Sequence, residues 1–251
     1  MKNYKMILRY DGGRYDGWQK QGNTENTIQQ RLEEIISCLA GCKIEVFGSG
    51  RTDAGTHAWA QTANFHMCWT GSVDELKLAI NEQLPEDIAV ISLEEASDRF
   101  HSRLSAKAKT YEYTIWLGNE PPVFWRRYIF WCKKDLDTQK MEVAARVFVG
   151  SHDFKSFCAN KRTKKSTVRE IYDISFRYEG RRLVIAYHGN GFLYQMVRIL
   201  TGTLIEVGEG KKEIRDMEAI ILAKDREAAG FTAPAKGLML KEVFYGEGPG
   251  L

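Results

Sequence analysis

One aspartate lies in a glycine-rich segment of a kind that can carry chemistry. Residues 48–58 read GSGRTDAGTHA and place Asp53 among small side chains. Glycine lets a backbone approach a ligand closely and adopt positive φ, so the carboxylate could be presented to a ligand without a bulky neighbour. Arg51 could keep it ionised or attract an anionic substrate. The alternative is a surface turn in which Asp53 caps its own backbone.

A run of cations could bind a polyanion. Residues 161–169 read KRTKKSTVR and carry five positive charges in nine positions. Such a run can contact several phosphates, although many charge runs are only solvated loops. Other cations lie close to aromatic residues in the sequence, which favours the polyanion interpretation. The candidate cations are Lys107, Lys109, Arg126, Arg127, Lys161, Arg162, Lys164, Lys165 and Arg169.

Four aromatic residues near these cations offer flat faces to a base. They are Tyr111, Tyr113, Trp125 and Tyr128. Stacking on a nucleobase is one use of such side chains, and packing in the core of a strand is the other. For Tyr113 we favour core packing.

Arg198 stands in a segment that is apolar on almost every face. Residues 191–202 read GFLYQMVRILTG, which predicts a buried guanidinium. An unpaired buried charge would cost several kcal/mol or more, so Arg198 needs an anionic partner. Asp53 and Glu206 are the two candidate carboxylates.

The remaining reactive side chains do not form a known site pattern. Five cysteines without a C-x-x-C pair argue against a disulfide framework and a zinc ribbon, and the five histidines lack metal-ligand spacing. The chain also has no P-loop or dinucleotide fingerprint. We therefore expect neither a metal nor a cofactor.

The composition indicates a globular protein that is only mildly basic. Hydrophobic residues make up 43% of the chain and charged residues 27%, and the net charge is +3. A site for a polyanion must therefore come from clustered cations. The first residues contain no apolar stretch long enough for a signal peptide or a membrane span, so we expect a cytoplasmic protein that does not bind a membrane.

The first half alternates strands and helices. Apolar spacing predicts strands at 6–10, 43–47, 62–65 and 88–93, with helices from Thr27 onward and at 73–83. The order β-α-β-β-α-β is that of a split-βαβ domain.

The second half repeats this order without internal sequence similarity. Strands are predicted at 111–117, 171–178, 183–187 and 238–245, and helices at 136–148, 191–207 and 214–223. We predict an α+β fold of two split-βαβ (ferredoxin-like) domains, 1–105 and 106–251, with largely antiparallel sheets and a cleft between them.

Several motifs together resemble the TruA family of tRNA pseudouridine synthases. The segment GSGRTDAGTHA resembles the signature of that family, and further blocks extend the resemblance along nearly the whole chain. These are YDG at 10–12, GWQ at 17–19, RFHSR at 99–103, KTYEY at 109–113, GSHDF at 150–154, STVR at 166–169, residues 191–202 and TAPAKGL at 232–238.

The resemblance implies an enzyme, usually a homodimer, that isomerises uridine in the anticodon arm of tRNA, at positions 38–40, without metal or cofactor. It implies that Asp53 is catalytic, as a nucleophile or a base. It implies that Tyr111 stacks on the target base and could assist proton removal, and that Arg198 pairs with the aspartate. The cations of the 161–169 run and Arg126 are then candidates for binding RNA.

Two departures from the family pattern concern the substrate. Trp59 stands where the family usually has a smaller residue, and Thr56 where valine is common. An enzyme acting on another tRNA position or on ribosomal RNA is therefore an alternative, as is a non-catalytic RNA-binding protein. Aspartic-type hydrolysis is a weaker third hypothesis, because the Asp-Thr-Gly or Asp-Ser-Gly pattern is missing.

Overall fold

The computed structural model describes residues 1–160 and 165–246, which form two compact units. The first unit contains residues 1–107 and the last described segment, from Met239 on, and the second contains residues 108–238. From the sequence we assigned the last strand to the second domain. It belongs to the first unit because Met239 and Leu240 pair in parallel with His57 and Ala58.

The first unit contains five strands and two α-helices among its described residues. They are β1 (Lys2–Tyr10), α1 (Ile28–Ala40), β2 (Val46–Gly48), β3 (His57–Met67), α2 (Val73–Gln83), β4 (Ile88–Ala96) and β10 (Leu238–Phe244). In the sheet, β1 lies between β4 and β3 and is antiparallel to both. The other edge of β3 pairs with β2 and, in parallel, with β10.

Local signals explain where the two helices begin. Thr27 caps α1 by accepting a hydrogen bond from the Gln30 amide, and the helix ends at Gly41, which has a φ of 66°. Ser72 and Glu75 form a reciprocal capping box at the start of α2. Such caps satisfy amides that have no partner within the helix, so both helices begin where the sequence predicts.

Alternation along β1 builds the core of the first unit. Tyr4, Met6, Leu8 and Tyr10 are buried, whereas the residues between them are more exposed. Apolar residues of the two helices are also buried, namely Ile28, Leu32, Ile36, Leu76 and Ile80. Each such side chain contributes about 1.5–3 kcal/mol when removed from water.

The second unit contains five strands and three α-helices among its described residues. They are β5 (Ala108–Trp116), β6 (Phe130–Trp131), α3 (Thr138–Ala145), β7 (Gly150–Asp153), β8 (Val168–Glu179), β9 (Arg182–Gly189), α4 (Met196–Gly208) and α5 (Asp216–Ala223). Its sheet has the order β5-β9-β8-β7 with antiparallel pairs, and β6 lies parallel to β5. Both units are thus mixed α/β with mostly antiparallel sheets, as predicted, whereas the finer split-βαβ assignment stays a prediction.

The helix predicted at 191–207 begins later than expected. Gln195 has a φ of 60°, which is left-handed, and α4 starts only at Met196. An α-helix cannot continue through a residue in that conformation. The apolar run from Gly191 to Gln195 is therefore an irregular segment that leads into the helix.

No α-helix among the described residues is both long enough and apolar enough to cross a membrane. The longest of them, α1 and α4, have 13 residues each.

Candidate active site

Asp53 lies on the loop that joins β2 to β3, and its side chain is half-buried. The loop closes in a tight turn in which the Thr56 amide donates a hydrogen bond to the Asp53 carbonyl at 3.0 Å. Gly55 has a φ of 77°, a conformation that an L side chain rarely adopts. Gly55 thus adopts the positive φ that the sequence suggested for this segment, whereas the close approach of a ligand stays a prediction.

The chain segment after β1 supports this loop through its backbone. The Trp18 amide donates to the Thr52 carbonyl at 3.0 Å, and the Gly55 amide donates to the Tyr15 carbonyl at 3.3 Å. Gly12 passes so close that an added Cβ would lie 1.9 Å from the Thr56 carbonyl oxygen. The main chain is therefore held one residue before Asp53, at Thr52, and two residues after it, at Gly55.

A buried chain of polar side chains fixes the same loop from beneath. Ser49 Oγ donates to Gln61 Oε1 at 2.6 Å, and Gln61 Nε2 donates to the Gly50 carbonyl at 2.8 Å and to the Tyr10 hydroxyl at 3.3 Å. The Tyr10 hydroxyl lies 2.8 Å from Thr52 Oγ1. Burial raises the pKa of the Tyr10 phenol, so its proton is retained and can be donated to Thr52.

His57 begins β3 and lies beneath the other end of the loop. Its ring is buried, and Nδ1 lies 3.0 Å from Asp11 Oδ1 and 3.1 Å from the Gly12 amide nitrogen. A neutral ring with its proton on Nε2 accepts from Gly12, whereas a proton on Nδ1 would be donated to Asp11. Either way, His57 ties β3 to the turn that follows β1.

This arrangement presents one carboxylate from a backbone fixed on both sides. A group held in this way can act as a nucleophile or a base with little reorganisation. Arg51 does not form the expected ion pair with it: the Arg51 side chain is exposed and has no hydrogen bond or ion pair with any residue described in the structure. Its role in attracting an anionic substrate stays a prediction.

Tyr111 lies on β5 of the second unit and is buried. Its ring meets the Phe192 ring edge to face, with centroids 5.3 Å apart at 85°. Phe192 belongs to the irregular segment before α4, so an apolar side chain of that segment packs against β5. Tyr113, two residues further along the strand, donates its hydroxyl to the Pro234 carbonyl at 2.8 Å and is fully buried.

Arg198 lies in the first turn of α4 and is only half-buried, whereas the apolar pattern predicts full burial. Its Nε donates to the Ala233 carbonyl at 2.7 Å, and the Ala233 amide donates back to the Arg198 carbonyl at 3.1 Å. Glu206, one of its two candidate partners, instead accepts from the Phe231 amide at 3.3 Å and lies 3.6 Å from Lys212 Nζ. The pairing of Arg198 with Asp53 stays a prediction.

The predicted RNA-binding cations are only partly described. Lys161, Arg162 and Lys164 lie outside the described residues, and Lys165 is exposed. Arg169 on β8 donates to the Ser166 carbonyl at 3.0 Å, and burial lowers its pKa. Arg126 is exposed and donates to the Val123 carbonyl at 2.6 Å.

Residues 1–160 and 165–246 contain no group of three or more His, Cys, Asp or Glu side chains placed to hold a metal ion. The expectation that the protein needs no cofactor stays a prediction.

Comparison with known proteins identifies the family of this chain. The sequence pattern described as tRNA pseudouridine synthase matches residues 6–104 and 144–246. The chain belongs to this family. "tRNA pseudouridine synthase A" of Bacillus sp. (strain KSM-64) is 46% identical over 98% of this chain and 100% of its own length. Proteins of Clostridium perfringens, "tRNA pseudouridine synthase A 2", and Clostridium kluyveri, "tRNA pseudouridine synthase A", are each 43% identical with the same coverage.

Sequence reasoning missed the residues that support Asp53 in this member of the family. Gln61 and Asn64 are buried polar residues inside β3, where an amphipathic pattern would place apolar ones. A buried amide must be hydrogen-bonded, so polar residues at inward positions are a detectable sign of a built network. That sign could have identified Gln61, although not its partners Tyr10 and Ser49.

Proposed function

We propose that this protein converts uridine to pseudouridine in tRNA. The proposal rests on one observation above the others: a chain similar over its whole length to enzymes named for this reaction holds Asp53 of GSGRTDAG on a loop fixed at both ends. A non-catalytic RNA-binding protein would have no need for a carboxylate supported in this way.

The reaction exchanges bonds without redox change. The N1–C1′ glycosidic bond breaks, the uracil turns, C5 bonds to C1′, the proton on C5 leaves, and N1 takes up a proton. No atom is added and no electron is supplied, so a carboxylate and a base-binding surface are sufficient. The target nucleotide must be flipped out of its stack, at a cost of roughly a few kcal/mol.

Asp53 has one of two roles in this proposal. As a nucleophile it attacks the sugar or the base and forms a covalent intermediate. As a base it removes a proton from the ribose. Both roles need a carboxylate at a fixed position, and the backbone contacts of Thr52, Gly55 and Thr56 fix the loop that carries it.

Tyr111 and Arg198 are the proposed substrate-binding residues. The buried ring of Tyr111 is oriented by Phe192, so it can offer a flat face of fixed direction to a base. The Ala233 carbonyl accepts a hydrogen bond from Arg198 Nε and so orients the guanidinium, whose N–H donors form a planar fork that matches a carboxylate or a phosphate. We propose that these donors hold Asp53 ionised or bind the substrate.

The anticodon arm, at positions 38–40, is the proposed target, and the cations of the 161–169 run with Arg126 are its proposed backbone contacts. We further propose that the enzyme is a cytoplasmic homodimer. Another tRNA site or ribosomal RNA is the second candidate target, because Trp59 and Thr56 change the residues beside the Asp53 loop.

Substitution of the carboxylate tests the reaction. In Asp53→Asn we expect the release of the uracil C5 proton from a tRNA transcript to fall by about 10³-fold or more, since the amide is neither a nucleophile nor a base. RNA affinity should remain within about threefold. Asp98→Asn is the matched control, because Asp98 is an exposed carboxylate of the same unit.

A wild-type rate in Asp53→Asn would remove Asp53 from the mechanism. RNA binding without pseudouridine, even in the unsubstituted protein, would instead support the non-catalytic alternative.

Substitutions of Tyr111 separate stacking from proton transfer. If stacking is its main role, Tyr111→Phe keeps most activity and Tyr111→Ala loses about 10-fold or more in kcat/KM. An equal loss in both variants would show that the hydroxyl matters and would favour a role in proton removal.

The target is tested with transcripts in which the uridines at positions 38–40 are replaced by cytidine. Proton release should disappear with these transcripts and persist when uridines elsewhere are replaced. Light scattering of the purified protein gives its molar mass and decides between a monomer and a dimer.

A further inference from the structure

A cluster on the first unit has features of a ligand site and has no part in the chemistry above. Trp59, the third residue of β3, leaves 45% of its surface exposed. The Arg9 guanidinium lies 3.9 Å from the centroid of its ring, and Lys241 Nζ lies 5.4 Å from it. Two cations therefore share one exposed indole.

Three neighbouring strands bring these side chains together. Tyr10 of β1 and Leu240 of β10 both pair with Ala58 of β3, so their neighbours Arg9 and Lys241 reach the Trp59 position from opposite sides. Arg9 also donates Nε to the Trp59 carbonyl at 3.3 Å. The cluster thus lies on paired strands rather than on a loose loop.

Packing alone does not explain the cluster. Trp18 of the same unit is 2% exposed and fills the core beneath Gly48, which is the ordinary use of so large a side chain. One cation over a ring is favourable, but a second positive charge beside the first is repelled by it. An anionic ligand beside the indole would offset that repulsion.

We propose that Arg9, Trp59 and Lys241 form a contact site for an unpaired nucleotide of the RNA substrate, outside the reacting residues. The two cations bind phosphate and the indole stacks on a base, a combination typical of surfaces that bind single-stranded or loop RNA. This inference rests on the proposed function for the identity of the RNA.

The position of the site on β3 indicates which nucleotide it meets. β3 begins at His57, four residues after Asp53, and Trp59 lies about 7 Å further along the strand. A nucleotide spans a comparable distance along an extended backbone. The cluster therefore binds a nucleotide close to the target and affects RNA affinity more than the chemical step.

Binding of a tRNA transcript to three proteins tests the role of the indole. We expect Trp59→Ala to raise the Kd by about 5- to 30-fold, and Trp59→Phe, which keeps a flat ring, by less than about 3-fold. Tyr178→Ala is the matched control, since Tyr178 is a strand aromatic of similar exposure, 51%, in the second unit. The single-turnover rate at saturating RNA should stay within about twofold in all of them.

Salt dependence tests the cations separately. Each of Arg9→Gln and Lys241→Gln should lower the slope of log K against log salt concentration by about 0.7–0.9, the value expected when one phosphate is no longer neutralised. Indole fluorescence gives a direct signal, because stacking on a base quenches it. RNA should quench the wild-type protein more than Trp59→Phe.

Unchanged affinity, salt slope and quenching in variants that keep the wild-type melting temperature would overturn this site while leaving the proposed function intact. A change in molar mass instead of RNA affinity in Trp59→Ala would also overturn it, because the cluster would then be an interface between copies. Failure of the unsubstituted protein to make pseudouridine would overturn the proposed function, and the binding measurements would still decide whether the cluster contacts RNA.

Discussion

The Asp53 loop and the first turns of α4 show two ways of fixing a functional residue. In each, a glycine lets another backbone pass directly over it: Gly12 lies against the Thr56 carbonyl, and an added Cβ on Gly202 would lie 1.8 Å from the Phe231 carbonyl oxygen. Around the loop, however, the contacts are buried hydroxyls and amides. Around Arg198 they include an apolar helix and the Ala233 carbonyl.

This difference indicates how tightly each side chain is placed. Hydrogen bonds are directional, so the polar network fixes the Asp53 backbone in both distance and angle. Apolar packing fixes the backbone of the helix that carries Arg198. The guanidinium is separated from that backbone by a long side chain, whose conformation can adjust. We therefore expect the loop to tolerate less change than the helix.

The largest expected effect comes from adding a methyl group at Gly12 or Gly202, where another segment of backbone lies in direct contact. Gly12→Ala and Gly202→Ala should each destabilise their unit by about 1–3 kcal/mol or more, because a Cβ cannot lie within 2 Å of an oxygen. We expect kcat to fall about 100-fold in Gly12→Ala, as Asp53 shifts, but only about 10-fold in Gly202→Ala. Thermal unfolding and single-turnover rates measure the two quantities.

Gly22→Ala serves as the control for both variants, since nothing lies within 4 Å of the added Cβ. Equal losses of kcat in the two test variants would show that the loop is no more sensitive than the helix.

A smaller effect is expected from two buried tyrosine hydroxyls. Tyr10→Phe leaves Thr52 and Gln61 without that partner and should cost about 1–3 kcal/mol, together with a several-fold loss of kcat. Tyr187→Phe removes a hydrogen bond of 2.9 Å to Thr201, which still donates to the Val197 carbonyl at 2.8 Å. Its cost should be nearer 0.5–1 kcal/mol, with kcat unchanged.

Denaturant unfolding of both variants beside the wild type measures these costs. A loss of kcat in Tyr187→Phe equal to that in Tyr10→Phe would contradict the view that the network acts through the Asp53 loop.

The smallest effect concerns a surface ion pair of the second unit. Hydrogen bonds from Thr167 and Lys224 lower the pKa of the Asp153 carboxyl. Its contribution is therefore present above its unfolded-state pKa, near 4, and is lost as pH falls through the lower folded-state value. Asp153→Asn should cost about 0.2–1 kcal/mol at pH 7 and weaken the acid dependence of stability below pH 4. A pH series of unfolding curves measures this dependence. If stability fell below pH 4 as steeply in Asp153→Asn as in the wild type, the prediction would be wrong.

The elements that sequence predicted well are those with local signals. The caps at Thr27 and Ser72 lie within three residues of the groups they satisfy, so α1 and α2 could be placed from the sequence. The start of α4 could not, because apolar residues fill both the helix and the segment before it. Only the left-handed conformation of Gln195 separates the two.

Strand β3 is longer than the sequence predicts. The sequence predicts only 62–65, because the polar residues His57 and Gln61 interrupt the apolar alternation, yet they are buried and the strand runs from His57 to Met67. Gln61 bonds to Tyr10 of β1 and His57 to Asp11 just after it, both far away in the sequence. Asp53 could be identified from its motif, but the network that holds it depends on these long-range contacts.

The first unit is completed late in translation, because its strand β10 follows residues 108–238 in the sequence. The ribosome makes the Asp53 loop early, but the strand that pairs with the start of β3 emerges only after residues 108–238 have been translated. At about 5–20 residues per second, that interval is on the order of ten seconds. During it the edge of β3 at His57 and Ala58 lacks its parallel neighbour, so a nascent chain stalled before residue 239 should expose an incomplete first unit to chaperones and proteases.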